Sequence, residues 1–451
     1  MSRMQPEMRK LACFWATLLG AALLLSWPLS TLGGGPEGRG RVPQRGKRAP
    51  KSPPTATPPS VREPILAEDP PVSGESLAES GDLTAMATTT KPTHVVLGFN
   101  ELGMHCMNRD FSEMCILPPF NTLRAQVIKK GSEPEIVSSG VTVNYSIPGN
   151  TISSTKTDFW NQAPKLFGKS IAKDVGLTGN KLSGTMAATK LGYFEATGIP
   201  ITPLTDKLVN DPFQLSSIVV KDKSGKQLAT TRAVVPVSWE ISCHLCHNTP
   251  GISVATDILR AHDRRHATTL EKQKPVLCAS CHADPALGTT GKAGVSNFSR
   301  AMHNSHATRM AQLPSLQNNC YACHPGVQTE CQRDVHAARG ITCVNCHGDM
   351  NAVAAPTRRP WVDEPTCASC HQKRKPKFEF EQPGKLFKDS KGHGGVACAS
   401  CHGPQHATAP ATTPNDNAQA ILQQGTAGTI SKCTVCHTKT PSEAFFHKVD
   451  D

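Results

Sequence analysis

Seven pentapeptides of the form Cys-x-x-Cys-His stand in the second half of the chain. Their cysteines and histidines are Cys243, Cys246 and His247; Cys278, Cys281 and His282; Cys320, Cys323 and His324; Cys343, Cys346 and His347; Cys367, Cys370 and His371; Cys398, Cys401 and His402; and Cys433, Cys436 and His437. Two thiols three positions apart on one helical turn reach the two vinyl groups of a single haem and form thioethers. The histidine that follows turns its imidazole under the ring and ligates the iron. At this composition, chance supplies roughly 0.03 such pentapeptides. The pattern therefore reads as attachment sites for seven covalent haems c.

Two other chemistries use paired cysteines. A structural zinc site closes a tetrahedron from four ligands and does not require histidine after every second cysteine. A disulfide scaffold does not place histidine there either. All seven pairs carry it, which favours haem over both.

The second axial position decides what each iron can do: a protein ligand suits electron transfer, and an open position suits catalysis. The chain has 18 histidines, and seven close the motifs. The others in the motif region are His244, His262, His266, His303, His306, His336, His393, His406 and His447. We expect His262, His266, His303, His306, His336, His393 and His406 to supply the distal ligands. His447, near the C-terminus, is the first reserve and His244 the second. No motif is altered to Cys-x-x-Cys-Lys, and no catalytic residue is assigned. Cys331, between the third and fourth motifs, keeps open a reductase or oxidase of nitrogen or sulfur oxyanions as the alternative.

These sites need elements to hold them. Aromatics are only 5% of 451 residues, and the motif region offers about 30 residues per haem, too few for a separate apolar core around each. The haems must lie close together and form much of the core themselves. We expect an α+β chain: an N-terminal antiparallel β-sandwich-like domain over 91–240, then a loop-rich, mostly helical heptahaem domain over 241–451. Strand signals fall at His94–Gly98, Thr122–Ile128, Val141–Ile147 and Ser216–Lys221, with a hairpin turn leading into Gln227–Val234. An amphipathic stretch, Asp158–Ile171, reads as a helix. Irregular spacing between motifs argues against a solenoid. Cys106 and Cys115 are the favoured disulfide pair, with Cys106–Cys331 second. His105, Met104 and Met107 read as packing residues rather than a metal site.

Ahead of these domains, residues 1–32 carry the almost wholly apolar run 11–32, a cleaved export signal or a retained membrane tether. Cys13 precedes the apolar run and makes no lipobox. Residues 33–90 are rich in proline and small polar residues and read as a linker. The basic flank after the apolar run conflicts with the positive-inside rule. Haem attachment in bacteria takes place outside the inner membrane, so we expect export to the periplasm or cell surface. The formal net charge of +12 suggests an anionic partner until cofactors are counted. Fourteen propionates, ionised at neutral pH, would bring the oxidised holoprotein near neutrality and make the reduced one negative. No nucleic-acid-binding motif is present, and we expect no nucleic-acid partner.

With these residues in view, the chain resembles the multihaem c-type cytochromes of metal-reducing and related environmental bacteria. The resemblance rests on the seven motifs and on the stretch CYACHPGVQTECQRDVHAARGITCVNCHGDM. The segments LGFNELGMHCM and ILPPFNTL also look like a domain that accompanies such haem arrays. The resemblance implies an electron-transfer protein rather than an enzyme, with another redox protein or an extracellular electron acceptor as partner. A homo-oligomer or conducting filament is a third form such a chain can take.

Overall fold

Why β1, His94–Asn100, is apolar almost without alternation is answered by its surroundings: it is covered on both faces. In a computed structural model of the chain, the described residues are 92–310, 313, 316, 318–443 and 447. All of them belong to one compact unit, Ala67–Asp451. The apolar run 11–32, Cys13 and the stretch 33–90 lie outside the described residues.

After β1 come β2 (His105–Cys106), β3 (Met114–Cys115), β4 (Leu123–Lys129), β5 (Glu135–Val137) and β6 (Thr142–Ser146). Helix α1 (Phe159–Phe167) follows, then β7 (Ser183–Thr185), β8 (Ala187–Ala188), β9 (Phe194–Ala196), β10 (Leu215–Lys221), β11 (Gln227–Val234) and β12 (Val237–Ser238). One antiparallel sheet has the order β1-β4-β9-β8, with β5 beside β4; a second has the order β11-β10-β6-β7. Val96, Leu123, Ala125 and Val127 of the first sheet share a core with Val143, Tyr145, Ile218 and Val220 of the second. The sheets approach closely at Gly98, where an added Cβ would stand 2.5 Å from Ile218 Cδ1 and 3.1 Å from Ala233 Cβ. The chain is thus of mixed α and β structure.

The hairpin β10–β11 forms where the turn residues predict it. Asp222 Oδ1 accepts from the backbone amides of Ser224 and Lys226 at 2.9 and 3.0 Å, and Gly225 takes φ 88°. The helix expected over Asp158–Ile171 is shorter. It stops at Phe167 because Gly168 turns left-handed at φ 66° and caps it. The favoured pairing of Cys106 with Cys115 is not what the fold presents. β2 runs parallel to β12 and β3 parallel to β13, Val276–Leu277, so the two cysteines belong to different strand pairs. The Cys106 thiol is within electrostatic reach of Cys331, and Cys115 pairs with Leu277, next to Cys278. Among the described residues no two cysteines are joined by a disulfide.

Beyond β12 the chain is made of short helical turns. α2 (Val254–His266) and α3 (Phe298–Met310) are the long helices before the fourth motif. α4 (Cys343–His347), α5 (Met350–Val353), α6 (Ala368–His371), the short hairpin β14 (Lys391–Gly392) and β15 (Val396–Ala397), and α7 (Cys398–His402) follow. The last helix, α8 (Pro414–Gln424), lies against β11, and its Gln419 Oε1 accepts from the Gly98 amide at 2.6 Å. The motifs form single turns, α or 3-10, whose last histidine amide bonds back to the first cysteine carbonyl, as His247 does to Cys243 at 2.9 Å. Among the described residues no helix is long and apolar enough to cross a membrane.

The outer face of the first sheet is the floor for two motifs. Val95, Leu97 and Ile128 pack on Val435, inside the seventh motif. Phe99 packs on Ala397 and Ala399, the latter inside the sixth. Gln126, fully buried on β4, accepts from the Ala397 amide at 2.9 Å and the Ser400 hydroxyl at 3.3 Å.

Candidate functional site

Each motif histidine faces one other histidine. The ring centroids of His247 and His306 are 6.5 Å apart, those of His282 and His262 6.3 Å, and those of His324 and His303 6.1 Å. His347 faces His406 at 6.1 Å and His371 faces His336 at 6.0 Å. His402 faces His447 at 6.2 Å and His437 faces His393 at 6.2 Å. Among the described residues, no three or more His, Cys, Asp or Glu side chains converge to hold an ion; each motif histidine has a single histidine ring opposite it. Two metal–nitrogen bonds of about 2 Å, with about 1.1 Å from each ring nitrogen to its centroid, span about 6.2 Å. Every gap therefore has the width of one metal ion between two axial imidazoles, provided that other atoms fill the equatorial positions.

The rings are aimed by their other nitrogen. His303 Nδ1 donates to Ser299 O at 2.7 Å and His306 Nδ1 to Met302 O at 2.8 Å, each one turn back along α3. His282 Nδ1 donates to Ser296 O at 2.8 Å and His437 Nδ1 to Ser132 O at 2.9 Å. His336 Nδ1 lies 3.0 Å from Asp334 Oδ2, and His262 Nδ1 3.0 Å from Thr268 Oγ1. His347 and His447 turn Nδ1 toward Glu364 and Glu379 at 4.0 and 3.8 Å. A carbonyl accepts only, so it fixes the proton on Nδ1 and leaves the Nε2 lone pair for a metal. His406 is the exception in kind: its Nδ1 partner is the Cys331 sulfur at 4.0 Å.

Burial disfavours the charged form of eight of these rings. It lowers His324 and His406 to about 4, and lowers His247, His262, His303, His347, His393 and His402 as well. Neutral imidazole is the form that binds a metal.

Seven of the eight histidines considered as distal ligands stand opposite a motif ring. The eighth, His266, is exposed at the end of α2, 4.8 Å from His262. His447 takes the seventh place instead. One turn along α2 brings His262 and His266 to neighbouring positions, but only His262 reaches inward to His282. His105 is buried with its Nε2 unpartnered, beside Phe120, and Met107 is fully buried in the core.

The orienting groups were missed in the sequence. Ser299 and Met302 each precede their histidine by four, and Asp334 precedes His336 by two, so these were open to detection. Ser132, Glu364 and Glu379 carry no local signal. Also missed was Arg333, fully buried, whose amide donates to His406 O at 2.8 Å. Two clefts open at the motifs. One is lined by Cys243, Cys246, Cys278, Cys323, Met302 and His306, and the other by Cys346, His347, Arg358, Asp363 and Glu364.

No family model and no curated protein matches this chain. Among solved structures, it is similar to MtrC from Shewanella baltica OS185 at 16% identity and TM-score 0.14, over 73% of this chain and 45% of that one. It is also similar to the β-glucuronidase of Bifidobacterium dentium, solved with coumarin-3-O-glucuronide, at 8% identity and TM-score 0.15, over 33% of this chain and 18% of that one. The chain spans less than half the length of either. At these TM-scores the likenesses carry no argument about function.

Proposed function

We propose that the chain binds seven haems c and carries electrons among them, as an exported multihaem cytochrome. The supporting observation is the set of seven histidine pairs at 6.0–6.5 Å, each pair including one motif histidine. A porphyrin supplies the equatorial nitrogens that the protein does not, which suits pairs rather than clusters. When bound, each haem supplies an iron that takes up and releases one electron.

The chain's own residues do the rest. The cysteine pairs of the motifs hold each ring by two thioethers. The motif histidines would hold each haem from one side, and His306, His262, His303, His406, His336, His447 and His393 from the other. Holding each haem from both sides would leave no open position for a substrate, which favours electron transfer over catalysis. Carbonyl and carboxylate partners at Nδ1 lock ring orientation and raise ligand basicity. The first sheet supports the sixth and seventh sites. We further propose that the run 11–32 directs export or tethers the chain, placing it in the periplasm or at the cell surface. Its partner is then another redox protein or an external electron acceptor.

A pyridine haemochrome count with electron paramagnetic resonance on the purified protein tests this reading. Seven haems per chain, all low-spin, are expected. A count well below seven, or a substantial high-spin signal, sinks it. Two variants test the ligand set: His447→Ala should convert about one haem in seven to high spin, whereas His266→Ala should leave the spectrum unchanged. The reverse outcome would return the distal role to His266.

A further inference from the structure

We infer that the seven sites form one unbranched chain in which the first and second motifs exchange places. Numbered by motif, the order is second, first, third, fourth, fifth, sixth, seventh. This order rests on the seven-haem reading.

The contacts that join the motifs carry it link by link. Cys243 of the first motif and Cys278 of the second line one cleft, and Cys323 of the third lines the same cleft. Within it the first motif is central: it contributes both of its cysteines, Cys243 and Cys246, to the lining, and the Cys243 thiol is within electrostatic reach of both Cys278 and Cys323. Helix α3 makes the junction rigid. Its His306 faces the first motif and its His303, three residues earlier, faces the third. The second motif draws its partner from a different helix, since His262 comes from α2.

Asn318 couples the third and fourth sites. Its side chain accepts from the Cys320 amide at 3.0 Å and donates to Cys343 Sγ at 3.4 Å. The segment 333–336 couples the fourth and fifth. The Arg333 amide donates to His406 O at 2.8 Å, and Asp334 holds His336 Nδ1 at 3.0 Å. The Cys346 and Cys370 thiols of these two motifs are within electrostatic reach of each other.

The fifth and sixth sites meet through 381–390. Glu381 accepts from the Cys367 amide at 2.5 Å, the Gln382 amide donates to Ser390 Oγ at 3.2 Å, and Ser390 O accepts from the Cys398 amide at 3.0 Å. The sixth and seventh meet at His447, whose ring is 6.2 Å from His402 and 6.3 Å from His393. The Ile430 amide also donates to Cys401 O at 3.0 Å. The ends of the chain are therefore the His262–His282 and His393–His437 sites. The motif that comes first in sequence is interior, and loss of its site disconnects the second from the rest.

Anomalous diffraction at the iron edge on crystals of the holoprotein tests the order without any assay of activity. The shortest iron–iron separations should follow the stated sequence, with two irons having one close neighbour and five having two. A second-motif iron nearest the third-motif iron, or any iron with three close neighbours, overturns the order while seven irons keep the haem reading intact. Fewer than seven irons overturns the haem reading itself. In solution, His262→Ala should shift the potentials of two haems, its own and one neighbour's, and His303→Ala those of three. Equal numbers of shifted haems in the two variants count against the order.

Discussion

Arg333 carries a full charge with none of its surface exposed. It is satisfied on every side. Nε and Nη2 donate to the two Asp416 oxygens at 2.6 and 2.9 Å, Nη1 donates to Gly103 O at 2.7 Å, and the guanidinium lies 4.8 Å from the Phe213 ring centre. Its own amide holds the His406 carbonyl. Removing one partner of such a pair leaves an uncompensated buried charge, so Arg333→Met should cost about 3–5 kcal/mol. Replacing both, as Arg333→Met with Asp416→Leu, should recover most of that loss. Denaturant midpoints of the wild type and two variants check this; a double variant as unstable as the single one would contradict it. The motifs were legible in the sequence because their two cysteines and histidine stand at a fixed local spacing. The distal pairing was not. His336 stands seven before Cys343 yet faces His371, and His406 stands four after His402 yet faces His347. Four distal partners precede their motif histidine and three follow it. Long-range packing decides such choices, and spacing does not report it.

At the scale of elements, β1 shows how one strand serves two cores. Val96 points between the sheets, while Val95, Leu97 and Phe99 point to the sixth and seventh motifs. A strand covered on both faces loses the period-two signal, which is why HVVLGFN was readable as a strand but its second contact surface was not. The two-residue strands β2, β3 and β12 were unreadable for a simpler reason: they are too short to show a period. Loops are stitched as tightly. Gly103, at φ 81°, sits where an added Cβ would stand 1.7 Å from Gln405 O, beside His406. If the outer face of β1 is core, Leu97→Ala should cost about 2–5 kcal/mol. Chemical denaturation of the holoprotein measures it, and a loss below about 0.5 kcal/mol, the level of an ordinary surface change, would show that face to be dispensable.

At the scale of the whole molecule, the seven haems proposed above would share one electrostatic field. Each electron taken up removes positive charge near its neighbours, so each makes the next uptake harder. The reductive titration should be broader than a single one-electron wave. Raising salt from 0.01 to 1 M shortens the screening length from about 30 Å to about 3 Å and should narrow it. Spectroelectrochemistry at the two salt levels reads the width; a width indifferent to salt would assign the spread to differences between ligand environments instead. The floor that β1 and β4 lay under the last two motifs has a bearing on biogenesis. The strip Val95, Leu97 and Phe99 has no cover until the far end of the chain has been made and folded back onto it. The sheets are synthesised first but completed last. A polypeptide terminated after β12 would present that strip to other chains, and aggregation rather than a free-standing β module is its expected fate.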